Sequence, residues 1–140
     1  MIPWDTQLED KFRAEFESTP DDALKQQALS GKGLALRGRA TYEFTRRALG
    51  NHDLLSDALE AINLDHVASG FPPLGWVAAA RILGADDPAA ANALLSAISG
   101  WDVKDQRAFF EFCLPRGRRR QMLRDLAAAH GWSPEFELAG

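Results

Sequence analysis

An all-α domain is the fold class predicted by this 140-residue chain, and three observations predict it. Apolar residues recur at helical spacing along most of its length. The breaks between those runs carry helix stop and start residues, glycine followed by aspartate, serine or proline. A helix–stop–helix unit at Trp76–Ile98 (WVAAARILGADDPAAANALLSAI) has an imperfect copy at Tyr42–Ile62 (YEFTRRALGNHDLLSDALEAI), read either as a true repeat or as two ordinary helix–turn–helix corners. Short connections set neighbouring helices antiparallel, so a compact array of helical hairpins with about seven helices is expected. Residues 1–140 read as one domain: N-terminal helices over 1–33, repeat-like hairpins over 34–130 and a C-terminal tail over 131–140.

The elements follow in order. Trp4, Leu8, Phe12 and Phe16 recur every four residues among Glu9, Asp10, Lys11 and Arg13, which predicts an amphipathic helix with an aromatic stripe. Ser18-Thr19-Pro20-Asp21-Asp22 predicts a second helix start, with a hydroxyl cap and acids at the positive dipole end, running to Leu29. Gly31-Lys32-Gly33 lacks phosphate-loop spacing and reads as a connector. Leu34–Leu49 predicts the third helix, weakened by Gly38, and Asp53–Asn63 the fourth, with Leu54, Leu55, Ala58, Leu59 and Ile62 inward. Leu64–Pro73, ending Gly70-Phe71-Pro72-Pro73, is the least regular stretch and the best candidate for a functional loop; its plainer interpretation is a connector.

In the second hairpin Gly84 is expected at positive φ, Asp87 as the cap of the next helix and Pro88 in its first turn. Asp102–Leu114 predicts a helix with Phe109, Phe112 and Cys113 on its core face and Phe110 open to a second contact, broken by Pro115-Arg116-Gly117. Arg118–His130 predicts the last helix, with Met122, Leu123, Leu126 and Ala127 inward. Trp132, Phe136 and Leu138 predict a tail that packs back or binds something.

The two copies share Arg-x-Leu-Gly-x-x-Asp: Arg47, Leu49, Gly50 and Asp53 fall opposite Arg81, Leu83, Gly84 and Asp87. Asp105-Gln106-Arg107-Ala108 adds the start of a following helix. Over Tyr42–Leu114 this pattern resembles the short HEAT-type repeats of α-solenoids. The resemblance implies an architecture that presents surfaces to protein partners. It brings no catalytic residues with it.

Composition narrows the class further. The chain is 46% hydrophobic and 26% charged, ordinary for a globular domain. A net charge of −4 argues against wholesale phosphate binding, although local patches matter more than the sum. A single cysteine, Cys113, excludes an internal disulfide and a thiolate cluster, and reads as a small buried hydrophobe. The start carries no signal-peptide pattern and no apolar run reaches membrane-spanning length, so the expected compartment is the cytoplasm.

Catalytic chemistry finds little support. His52, His66 and His130 have no metal-ligand spacing, and no serine elbow or dinucleotide fingerprint is present, so neither a metal nor a cofactor is expected. Asp65-His66 reads as a solvated pair in the irregular loop rather than an acid–base pair. The densest surface signal is Arg116-Gly117-Arg118-Arg119-Arg120 with Arg124 one turn on. Arginine forks suit carboxylates and phosphates. Cations at a helix N-terminus oppose the dipole, a local conflict that points to function, whereas the plainer interpretation is salt links to the acidic N-terminal helices.

Two functions of different class are expected from these surfaces. The first is a non-enzymatic protein-interaction module, an adaptor, regulator or immunity-type inhibitor. Its contact residues would be Arg116, Arg118, Arg119, Arg120 and Arg124, with Trp101 and Trp132 as apolar anchors. The second is nucleic-acid binding through Arg37, Arg39, Arg46 and Arg47 together with the Arg116–Arg124 segment.

Overall fold

The computed structural model of the protein describes residues 6–68 and 74–139, with the side chains of 67 and 68 left aside. Trp4 and Gly70-Phe71-Pro72-Pro73 lie outside the described residues. Among the described residues the chain forms eight α-helices, one 3₁₀ turn and no strand. They are α1 (Thr6–Glu15), α2 (Asp21–Ser30), α3 (Leu34–Gly50), the 3₁₀ turn His52–Leu54, α4 (Leu55–Ala68), α5 (Leu74–Leu83), α6 (Pro88–Ile98), α7 (Val103–Cys113) and α8 (Arg119–His130). The all-α expectation holds.

The helices pack in two rows. α1, α3, α5 and α7 each touch the next odd-numbered helix, and α2, α4, α6 and α8 each touch the next even-numbered one. Between the rows, α3 packs on α4, α5 on α6 and α7 on α8. α3 is the hub, meeting α1, α2, α4 and α5. Gly38 lets this happen: a Cβ there would sit 3.0 Å from Leu74, so the glycine that weakens α3 on propensity admits α5 at close range. Ala78, Ala79 and Ala80, all fully buried, give α5 the same slim profile.

The helix ends show which local signals operate. At α6, Asp87 accepts from the Ala90 N–H at 3.1 Å and Pro88 opens the helix, as the sequence predicts. Gly84, however, is not the left-handed residue of this corner. Its N–H still donates to Ala80 O at 3.0 Å, carrying the helical ladder one residue on, and Asp86 takes the left-handed conformation at φ 54°. Aspartate tolerates that region better than most residues do. In the first copy Asn51, not Asp53, supplies the cap: its Oδ1 accepts from the Asp53 N–H at 3.2 Å. α2 has no hydroxyl cap, since Pro20 holds the cap position without a side-chain bond.

Two further expectations need correction. The irregular stretch begins later than 64, because α4 runs on to Ala68 and carries Asp65 and His66 on a helix. In α7, Phe110 rather than Phe112 is fully buried beside Phe109 and Cys113, because the tail folds back over it. Trp132 and Phe136 lie against Phe110, with ring centroids 5.3 and 5.7 Å away, and Phe136 and Leu138 are buried. The tail therefore completes the core of the last hairpin.

Candidate functional site

The α7–α8 corner positions the arginine cluster. Pro115 disfavours helical geometry at Leu114, which is extended, and Gly117 at φ 90° turns the chain into α8. Arg119 then reaches back. Its Nε donates to Glu111 O at 3.1 Å and Leu114 O at 3.0 Å, and its Nη2 donates to Glu111 O at 2.7 Å. Those carbonyls include ones that α7 leaves without an intrahelical partner. The dipole conflict thus resolves for this residue: Arg119 opposes the dipole of its own helix but caps the negative end of the preceding one.

Arg120 is also committed in part, donating from Nε to Leu138 O at 3.2 Å and so tying the tail to α8. Arg116, Arg118 and Arg124 are exposed. Among the described residues none of the five arginines pairs with a carboxylate, and the expected links to the acidic N-terminal helices do not form. Asp125, the nearest acid in sequence to Arg124, accepts instead from Gln121 Nε2 at 2.8 Å. Between α8 and the tail lies an open cavity of about 270 Å³. Leu123, Ala127, Phe136 and Leu138 make its apolar part, while Arg120, Arg124 and Glu137 bring charge to it.

The two candidate anchors are both half-buried and engaged. Trp132 donates from its indole to Ser99 Oγ at 3.1 Å and meets Phe136 at 6.5 Å between centroids, which places it next to a wall of the arginine cavity. Trp101 belongs to a different cluster. Its ring stacks on His66 at 3.9 Å and 7°, and its indole N–H donates to Asn63 Oδ1 at 2.9 Å.

The first basic segment is held differently. Glu43, buried to 1% exposure, accepts from Arg46 Nε at 2.7 Å, Arg46 Nη2 at 2.9 Å and Arg47 Nε at 3.2 Å. The hydrogen bonds it donates to Glu43 hold the Arg46 guanidinium above its ordinary pKa, against the desolvation that burial brings. Arg47 also reaches Thr19 O at 2.7 Å, Phe16 O at 2.8 Å and Asp21 at 3.0 Å. Arg39 pairs with Glu15 at 3.0 Å. A second acid, Glu9, is buried beneath α1, where Arg81 Nε donates to it at 2.8 Å and the Tyr42 hydroxyl at 3.2 Å. Burial, with the Glu9 charge behind it, pushes the Tyr42 hydroxyl well above its usual pKa.

Sequence reasoning missed the cluster around His66. Asp65, 2% exposed, accepts from the Gly75 N–H at 2.6 Å and so satisfies a free donor in the first turn of α5. A Cβ at Gly75 would lie 2.9 Å from that carboxylate, which is why glycine stands there. The Trp76 indole N–H donates to His66 Nδ1 at 3.0 Å. An indole only donates, so this nitrogen offers its lone pair, and the neutral ring carries its proton on Nε2, 3.5 Å from Asp105 Oδ2. The adjacency of Asp65 and His66 misled, because helical geometry aims the two side chains at different partners. The usable signal was the ten-residue offset of each from Gly75 and Trp76 across one corner.

Burial pushes the Cys113 thiol up to about 12, and among the described residues no group of three metal-binding side chains converges. No described helix is long and apolar enough to cross a membrane. No family model matches the chain, and no curated protein or solved structure matches it either.

Proposed function

We propose that the chain is a non-enzymatic protein-interaction module, of the adaptor, regulator or immunity-type inhibitor kind, that meets its partner with the arginine face of α8 and the tail. One observation carries the proposal. In a chain of net charge −4, Arg116, Arg118 and Arg124 stand exposed without a carboxylate partner among the described residues, and Arg124 lines an open cavity that is partly apolar. Unpaired guanidiniums next to apolar surface suit a partner carrying acids around an apolar anchor. The two-row packing of helix pairs supports a HEAT-like scaffold for that surface. A reducing compartment such as the cytoplasm suits a chain whose one cysteine is a buried thiol.

Nucleic-acid binding has less support, since Arg39, Arg46 and Arg47 already hold carboxylates. The test is affinity capture from nuclease-treated lysate with the wild-type chain and with Arg116→Gln/Arg118→Gln, at low and high salt. A captured protein should be lost from the variant and released by salt. Equal capture by both, or capture abolished by nuclease, would overturn the proposal.

A further inference from the structure

We infer that the cavity between α8 and the tail is the seat for an acidic peptide segment of the partner. One apolar side chain of the segment enters against Leu123 and Phe136, and a neighbouring carboxylate lies in the fork of Arg124. The inference rests on the protein-interaction reading and names the chemistry of that contact.

Size is the first argument. About 270 Å³ falls just under the roughly 300–1,000 Å³ of small-molecule sites, and the cavity is open to solvent on one side. It suits one side chain of a larger ligand better than a whole enclosed molecule. Charge is the second argument. Arg124 makes no ion pair among the described residues, and Arg120 commits only its Nε, to Leu138 O. A guanidinium offers two parallel donors to one carboxylate, which fixes the orientation of the group it binds.

Glu137 supplies the third argument, because it separates peptide from polyanion. It puts a negative charge on the same cavity. A nucleic-acid strand, with a phosphate on every nucleotide, would run its charges past this carboxylate. A peptide can set its acid at Arg124 and turn an uncharged backbone towards Glu137. Like charges brought close are a means of rejecting wrong partners.

The experiment uses the full ¹⁵N-labelled chain and follows amide shifts during titration. The probe is an acetylated, amidated peptide of sequence Gly-Glu-Leu-Glu-Gly. Controls are the same peptide with both acids as glutamine, decanoate, and a single-stranded DNA oligomer. The acidic peptide should shift the amides of Leu123, Ala127 and Phe136. Arg124→Gln and Ala127→Leu should each weaken its binding at least fivefold, and Glu137→Gln should strengthen it. Arg124 is exposed and unpaired, so its variant decides the matter even where Ala127→Leu disturbs packing. Shifts that map elsewhere, an equal response to the glutamine peptide, or indifference to Arg124→Gln would overturn the inference. So would a response confined to decanoate or to DNA, which would make the cavity a site for a small amphipathic acid or for phosphates. The capture experiment uses Arg116 and Arg118, outside the cavity lining, so the protein-interaction reading stands or falls separately.

Discussion

The two arginine-rich regions of this protein use the same side chain for opposite purposes. On α3, Arg46 and Arg47 converge on Glu43, and Arg47 also binds backbone carbonyls at the end of α1 and before α2. Their charge is spent inside the fold, fastening the N-terminal helices to the hub. At the α7–α8 corner and along α8, Arg119 and Arg120 bind carbonyls and leave their charge uncompensated, while Arg116, Arg118 and Arg124 bind no carboxylate among the described residues. Density of arginine is therefore a poor guide to a contact surface. What matters is whether carboxylates come within reach once the chain has folded.

Four measurements test that contrast. The largest effect is expected from Glu43→Gln, which leaves the partly buried Arg46 without its counter-charge and Arg47 with Asp21 alone. It should cost about 3 kcal/mol in urea unfolding, the low end for breaking a buried pair because Arg46 keeps some exposure. A cost below that of a surface substitution would mean that the α3 network contributes no more than exposed pairs do. Arg119→Ala should cost about 1–2 kcal/mol, since it frees carbonyls at the end of α7 that water can partly satisfy. Hydrogen exchange should quicken at the end of α7 and the start of α8 rather than across the whole chain.

The combined variant Arg116→Gln/Arg118→Gln/Arg124→Gln should change stability by no more than about 0.5 kcal/mol. A large loss would show that these arginines are structural after all. The smallest effect concerns a pair of a third kind, the exposed contact between His52 Nε2 and Asp87 at 2.7 Å, which joins the corners of the two hairpins. The hydrogen bond from His52, and then that from the Ala90 N–H, hold the Asp87 carboxyl below its ordinary pKa. A depressed carboxyl stabilises the fold above its unfolded pKa and loses that contribution as the pH falls through its folded value. In His52→Ala the Asp87 titration, followed by carboxyl carbon shifts, should move back up towards the ordinary value. No movement would mean that the contact does not persist in solution.

The contrast was only half legible in the sequence. Glu43 stands three and four residues before Arg46 and Arg47, the spacing at which helical side chains meet, so that pairing was open to inspection. The Glu9–Arg81 contact spans 72 residues, and nothing in periodicity announces it. The hairpin order and the Asp87 cap were local and read correctly. The Gly84 corner was also local, yet two residues competed for its left-handed position and Asp86 took it. At the candidate site the cluster itself was plain, but the division of labour within it was not. Arg119 differs from Arg118 only in which way the α7–α8 turn points it, and that direction is a property of the folded corner.

Cys113 turns the last hairpin into a system whose opening can be timed. The thiol is fully buried, and burial pushes it up to about 12, so at neutral pH it is both out of reach and protonated. An alkylating reagent or aromatic disulfide needs an accessible thiolate, and α7 supplies one only while it is transiently open. Because the chain has one cysteine, the modification is a single event at a known place. At high reagent concentration its rate approaches that of opening, and at low concentration it reads the open population. The buried thiol thus gives a kinetic measure of how firmly the tail, through Phe110 and Phe136, holds the end of the chain closed.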